Sequence, residues 1–276
     1  MSEILTKNLA DAFALDRKTE RPKITERDLT VWMLNVRDRT NAVWGDLDKQ
    51  DGYNCLLCRN KGWRDVVVEV QGCYTYKQHR FVPCPCMEKR KSYQRSRMSG
   101  LPEGLDFDNF RAEQEWQHSM KRLAEDYLNE QAYKDGAWFY AGGNVGAGKT
   151  HIVTALAREL VYVRDVRYMN WVRDSRQLKA IVNDPTDYGA QLYRLTNVDI
   201  LFIDDFFKTH TDADVRLAYD ILNERYVRHL PTLFTSEMFL AEMENIDQSI
   251  ASRIYERSGK YVLTIDRDRS KNVRYG

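Results

Sequence analysis

The stretch Gly143-Asn144-Val145-Gly146-Ala147-Gly148-Lys149-Thr150 constrains this chain more than any other. It fits G-x-x-x-x-G-K-[ST], and its flanks suit it: Trp138-Phe139-Tyr140 reads as a short buried strand and Ile152–Leu160 as a helix. Strand, glycine-rich loop and helix together are the setting in which backbone N–H groups and a helix N-terminus gather around phosphate oxygens. In that reading Lys149 reaches the β- and γ-phosphates of a nucleoside triphosphate, and the Thr150 hydroxyl is a magnesium ligand.

A second element completes a nucleotide site. Val198-Asp199-Ile200-Leu201-Phe202-Ile203-Asp204-Asp205 places an apolar run ahead of two acids, the pattern of a buried parallel strand that delivers carboxylates from its C-terminal end. Asp204 is expected to hold magnesium and Asp205 to orient or deprotonate the attacking water. Pro231–Ser236 reads as another short buried strand, putting Ser236 and Glu237 beside the γ-phosphate. A carboxylate there is repulsive toward that phosphate unless it is paired or points away.

Charge is informative through its distribution. The 276-residue chain has a net charge of +1, but residues 51–98 hold ten Lys/Arg against four Asp/Glu, and all five cysteines. Cys55-Leu56-Leu57-Cys58, an alternating Val66–Val70 run and Cys84-Pro85-Cys86 form a knuckle, a hairpin and a second cysteine pair, the build of a zinc ribbon. Cys55, Cys58, Cys84 and Cys86 are the expected ligands of a structural zinc, with Cys73 and His79 as substitutes for one of them. The basic run Met87–Met98 reads as a solvated helix face that could also touch a phosphate backbone. Upstream, Thr25-Glu26-Arg27-Asp28 resembles a capping box, and Leu29, Trp32, Met33 and Val36 share one helix face that either packs in its own domain or docks a partner. Ser99-Gly100-Leu101-Pro102 breaks the pattern and sets a boundary between residues 1–98 and residues 99–276. A further amphipathic helix is expected over residues 111–131, where Trp116, Met120, Leu123, Tyr127 and Leu128 repeat at helical spacing. Apolar residues make up 43% of the chain and charged residues 30%, no segment is apolar enough to span a membrane, and the N-terminus carries no secretory pattern, so a cytoplasmic location is expected.

Taken together, the cysteine-rich N-terminal region, the phosphate loop, Tyr193-Arg194-Leu195 leading into the paired acids, Thr235-Ser236-Glu237 and Ser252-Arg253-Ile254-Tyr255-Glu256-Arg257 resemble the DnaC/DnaI-type helicase loaders. These form an AAA+ family that includes the IstB-type transposition ATPases. The resemblance implies an α/β AAA+ domain with a parallel sheet flanked by helices, preceded by a small helical and zinc-ribbon-like domain. It implies ATP, magnesium and zinc as cofactors. Arg257, or Arg253 in the same box, becomes the arginine finger that reaches a neighbouring subunit, and Arg274 resembles a sensor-2 arginine, with Arg269 as the alternative. The implied activity is weak ATP hydrolysis that rises on assembly. The implied partners are a replicative hexameric helicase, single-stranded DNA and further copies of the chain in a spiral. Tyr168, Trp171 and the tail arginines are candidates for stacking and contacting the strand. A transposition ATPase that recruits a transposase is the alternative, and a nucleotide switch without DNA, such as a small-molecule kinase, is disfavoured by the paired acids and the arginine box.

Overall fold

The computed structural model describes residues 25–72 and 74–274. The chain divides into two compact units that meet in sequence between Met87 and Glu88, rather than at the Ser99–Pro102 break. The reason lies in helix α3 (Cys86–Ser99), which runs on past residue 87 and whose Arg95 binds Asp165 of the second unit at 2.9 Å. The break itself ends that helix.

In the first unit, helix α1 (Glu26–Ala42) starts at the capping box, with Thr25 and Asp28 bonded reciprocally. A short helix α2 (Leu47–Asp51) follows. Strands β1 (Trp63–Gln71) and β2 (Thr75–Pro83) pair antiparallel along their full length. Helix α1 meets the hairpin: Asn41 exchanges two hydrogen bonds with the Asp65 backbone, and Trp32 lies edge-on to His79. No residue of α1 is fully buried, so its apolar face is only partly used. Cys73 lies outside the described residues.

The second unit is a three-layer α/β domain. Helix α4 (Glu115–Asn129) precedes strand β3 (Phe139–Gly143), helix α5 (Lys149–Val161), strand β4 (Val166–Asn170) and helices α6 (Trp171–Ala180) and α7 (Pro185–Asn197). Strand β5 (Ile200–Asp204), helix α8 (Asp212–Val227), strand β6 (Thr232–Thr235), helices α9 (Leu240–Met243) and α10 (Gln248–Ser258) and strand β7 (Val262–Ile265) complete it. The five strands lie in the order β4-β5-β6-β3-β7, and every pairing is parallel.

A sheet covered on both faces needs strands that are apolar at every position, and β3, β5 and β6 are buried throughout. Alternation divides their side chains between two cores. Phe139, Ala141, Ile200, Phe202 and Leu233 pack with Met120, Tyr127, Val153 and Leu156 of α4 and α5. Tyr140, Leu201, Ile203 and Phe234 pack with Leu217, Ile221, Ile250 and Ile254 of α8 and α10. Because the strands are parallel, the C-terminal ends of β3, β5 and β6 meet at one edge, and the phosphate loop, the paired acids and Ser236–Glu237 meet with them.

Candidate nucleotide-binding site

The phosphate loop runs from the end of β3 into α5. Gly143, Gly146 and Gly148 have φ values of 105°, 74° and 80°, a region that residues with a Cβ rarely enter. A Cβ at Gly143 would strike the Ile265 carbonyl, and one at Gly146 the Asn272 side chain. These collisions show a cradle closed from above by the chain that follows β7. Asn144 donates its backbone N–H to Ile265 O at 2.9 Å and its amide to Asp268 O at 2.9 Å, and Val273 N–H reaches Gly146 O at 3.1 Å. Val145 is exposed and Ala147 buried.

Lys149 is buried, and its ammonium donates to the carbonyls of Gly143 (2.9 Å) and Asn144 (2.5 Å). Burial lowers its pKa to about 8, against the opposing pull of the Glu237 and Asp205 carboxylates. The next residue connects the loop to β5: Thr150 Oγ1 donates to Asp204 Oδ1 at 2.8 Å. Asp204 is buried and takes two more hydrogen bonds, from Thr235 Oγ1 at 2.5 Å and from Tyr168 OH at 2.8 Å. Burial, then the Asp204 charge, push the Tyr168 phenol far above its ordinary value, so it stays a donor. A hydroxyl and a carboxylate in contact at the mouth of a phosphate loop are a donor set suited to magnesium, which prefers oxygen ligands.

Asp205 is half-buried and takes φ 56°. Its N–H reaches Thr235 Oγ1 at 3.0 Å, and its carboxylate lies 3.5 Å from Lys208 Nζ. Glu237 is paired, 2.9 Å from the same ammonium. Ser236 differs from expectation. Its hydroxyl is buried, donates to Phe206 O at 2.8 Å and accepts from Met238 N–H at 3.1 Å. In this arrangement its donor is committed to the turn after β5.

The two arginines of the α10 box lie elsewhere. The Arg257 carbonyl accepts from Trp138 N–H, just before β3, whereas the phosphate loop leaves the other end of that strand, about 16 Å away at the usual rise. Arg257 binds Tyr226 O at 2.8 Å and His229 Nδ1 at 3.1 Å and lies over the Tyr226 ring. Arg253 binds Asn223 and Ser249 and lies over the Tyr219 and Tyr226 rings. Arg274 is exposed at the end of the strap over the loop, near enough to Lys149 for its charge to contribute to the lowered pKa.

Three features escape the sequence pattern. Thr235 ties Asp204 to the Asp205 backbone. Tyr168 is committed to Asp204, and Trp171 is fully buried against Phe206 and Phe207, so neither is a free stacking platform for DNA. Beside the loop, a cleft of about 670 Å³ is lined by Phe110, Gln114, Gly148, His151 and Asn272, among others, with Phe110 and His151 in edge-to-face contact at 5.2 Å. An aromatic wall next to the first turn of α5 suits a flat base. A plain Asn-Phe pair far from the glycines gives no sequence signal of that role.

In the first unit, the sulfurs of Cys55, Cys58, Cys84 and Cys86 lie within 4.8 Å of one another. Cys55 and Cys84 are 4.0 Å apart and Cys58 and Cys86 3.5 Å, close to the edge of about 3.8 Å in a zinc–thiolate tetrahedron with bonds of about 2.3 Å. Burial raises the Cys58 thiol, but the Gly62 N–H and the other three sulfurs outweigh it and bring its pKa to about 7. His79 is not among them: its Nδ1 is 2.9 Å from the buried Asp65 carboxylate.

A family model described as IstB-like ATP binding protein matches residues 86–261. This chain belongs to that family. The phage-like element PBSX protein XkdC of Bacillus subtilis is 32% identical over 234 residues, covering 77% of this chain and 82% of that protein. The replicative helicase loader DnaC of Escherichia coli is 27% identical over 176 residues, covering 62% and 69%. Among solved structures, a DnaC helicase loader superposes with a TM-score of 0.53 at 18% identity, over 59% of this chain and 97% of that one. The replication initiator DnaA bound to AMPPCP and single-stranded DNA gives 0.51 at 18%, over 61% and 51%. The family places an ATP-binding AAA+ domain here, and the two structures share its fold. No helix among the described residues is long and apolar enough to cross a membrane.

Proposed function

We propose that this chain is an ATP-dependent loader that places a replicative helicase on single-stranded DNA. The observation that carries this reading is the continuous hydrogen-bonded path from the phosphate loop through Thr150 to Asp204 and Thr235, in a chain similar to a replicative helicase loader. Gly143–Gly148 offer N–H groups to the phosphates, and Lys149 exchanges two carbonyls for phosphate oxygens. Thr150 and Asp204 hold magnesium, which neutralises charge on the β- and γ-phosphates when bound. Asp205 orients the attacking water. Phe110 and His151 wall the base.

Arg257 is too far from its own loop to serve it. Arg257, with Arg253 one turn earlier, is instead suited to enter the site of a second copy, so that assembly completes each site and raises turnover. Arg274 stands over the loop as the sensing arginine. The cysteine cluster holds zinc as a structural staple, since a hairpin and two helices bury little apolar surface of their own. The N-terminal region, residues 1–98, grips the helicase.

The test is a pull-down from replicating cells with the full chain, with and without ATP, alongside Lys149→Ala. Recovery of a hexameric helicase and ATP-dependent association with single-stranded DNA that Lys149→Ala abolishes are expected. Recovery of a transposase would replace the reading with a transposition ATPase.

A further inference from the structure

The turn that follows β5 is built more rigidly than a connection needs. Within three residues, Asp205 and Phe207 both take left-handed backbone angles, φ 56° and 54°, which residues with a Cβ adopt only when their surroundings force them to. Here the surroundings do so from three sides. Thr235 accepts the Asp205 N–H at its hydroxyl and the Phe206 N–H at its carbonyl. The Ser236 hydroxyl donates to Phe206 O. Phe206 and Phe207 are buried, stacked at 4.1 Å, and wedged against Trp171. Strain held in place this way clusters where a side chain has to be aimed.

The turn aims two groups, Asp205 and Lys208. Lys208 Nζ sits 2.9 Å from Glu237 and 3.5 Å from Asp205, at the edge where β3, β5 and β6 end. Glu237 is itself set by the strand register, because Ser236 N–H bonds to Ala141 O in β3, two residues before the phosphate loop begins. The Glu237 and Asp205 charges both act on Lys149, as does the Lys208 charge with the opposite sign. Lys149 donates to the Gly143 and Asn144 carbonyls, whereas Lys208 is the ammonium in direct contact with both carboxylates.

We propose that Lys208 is a triphosphate-sensing cation: the Asp205–Lys208 turn and Glu237 hold its ammonium where the terminal phosphate of a bound nucleoside triphosphate would sit, so that it reads the third phosphate and ignores a diphosphate. This inference rests on the phosphate loop holding a nucleotide. It resolves the sign problem at the end of β6, where a bare carboxylate would repel that phosphate. The Lys208–Glu237 pair presents a positive group there instead, and an ammonium to phosphate contact is of the strong, charge-assisted kind. A lysine that served only to solubilise the surface would need neither the strained turn nor the buried phenylalanines beneath it.

The experiment compares affinities for a non-hydrolysable triphosphate analogue and for ADP, both with magnesium, in the full chain and in Lys208→Ala, Lys208→Arg and Lys149→Ala. The Lys208 side chain is 42% exposed, so its replacement is expected to leave the melting temperature unchanged. Lys208→Ala should weaken the analogue by about tenfold or more and ADP by less than about twofold, and Lys208→Arg should recover most of the loss. Equal losses for the two nucleotides, or no loss for either, would overturn the inference. If Lys149→Ala abolishes binding of both nucleotides while Lys208→Ala changes neither, the loop reading stands and the Lys208 role falls. If Lys149→Ala binds both normally, the loop reading itself is refuted.

Discussion

Lys149 links nucleotide affinity to pH in a way that the geometry makes quantitative. Its ammonium is buried on two carbonyls, and its pKa is lowered to about 8 from 10.5. At that value about nine-tenths of the free protein carries the charge at pH 7, and about one-tenth at pH 9. Polyphosphate binds the charged form, so affinity should fall about tenfold between these pH values, about 1.4 kcal/mol. Folding should respond in the opposite sense. The depressed value means that the unfolded chain holds the proton more tightly, so stability rises as pH climbs from about 8 toward 10.5. Calorimetric titration of a non-hydrolysable analogue at pH 7, 8 and 9, at fixed magnesium, measures the first slope. Proton uptake at pH 8.5, read from buffers of different ionisation enthalpy, measures the linkage directly. In Lys149→Arg the guanidinium does not titrate in this range, so the slope should flatten. A pH-independent affinity in the native chain, or an equal slope in Lys149→Arg, would refute the reasoning.

Arg225 is fully buried and donates to Thr232 Oγ1 and to the carbonyls of Leu195, Val198, Asp199 and Pro231, with its pKa brought down to about 9 by burial, then by the Arg228 charge. Arg225→Ala strips these carbonyls of their donor and should cost about 3–5 kcal/mol in chemical denaturation; an unchanged midpoint would show that water replaces the guanidinium. Metal analysis of the full chain should find about one zinc, lost in a Cys58→Ser, Cys84→Ser double variant together with stability of the first unit. Arg257→Ala should leave binding of a triphosphate analogue intact but lower assembly-stimulated hydrolysis, by up to about a thousandfold for a true finger. Unchanged turnover there and in Arg253→Ala would make the box structural.

Local chemistry accounts for what the sequence revealed. Gly143–Thr150 specifies a backbone that only glycines can follow, the Ile200–Phe202 run specifies a strand covered on both faces, and Thr25–Asp28 caps its own helix. Each is a property of neighbours in the chain, and so are the two cysteine pairs of the ribbon. Element limits moved by only a few residues. The helix expected over residues 111–131, for example, runs from Glu115 to Asn129.

Tertiary structure alone decided which polar groups meet. Nothing in the sequence pairs Tyr168 or Thr235 with Asp204, because their contact depends on β4, β5 and β6 lying side by side in parallel. The same holds for Phe110 beside His151, for the Asp268–Val273 strap over the phosphate loop, and for Ser236, whose hydroxyl serves the turn after β5 rather than a phosphate. It also holds for Lys208 and Glu237. The chain alone shows a carboxylate where a phosphate is expected, and the fold supplies the cation that makes such a carboxylate tolerable. A motif is legible when its physics is contained in a few consecutive residues. A site becomes legible only when strand order brings separate segments within hydrogen-bonding distance.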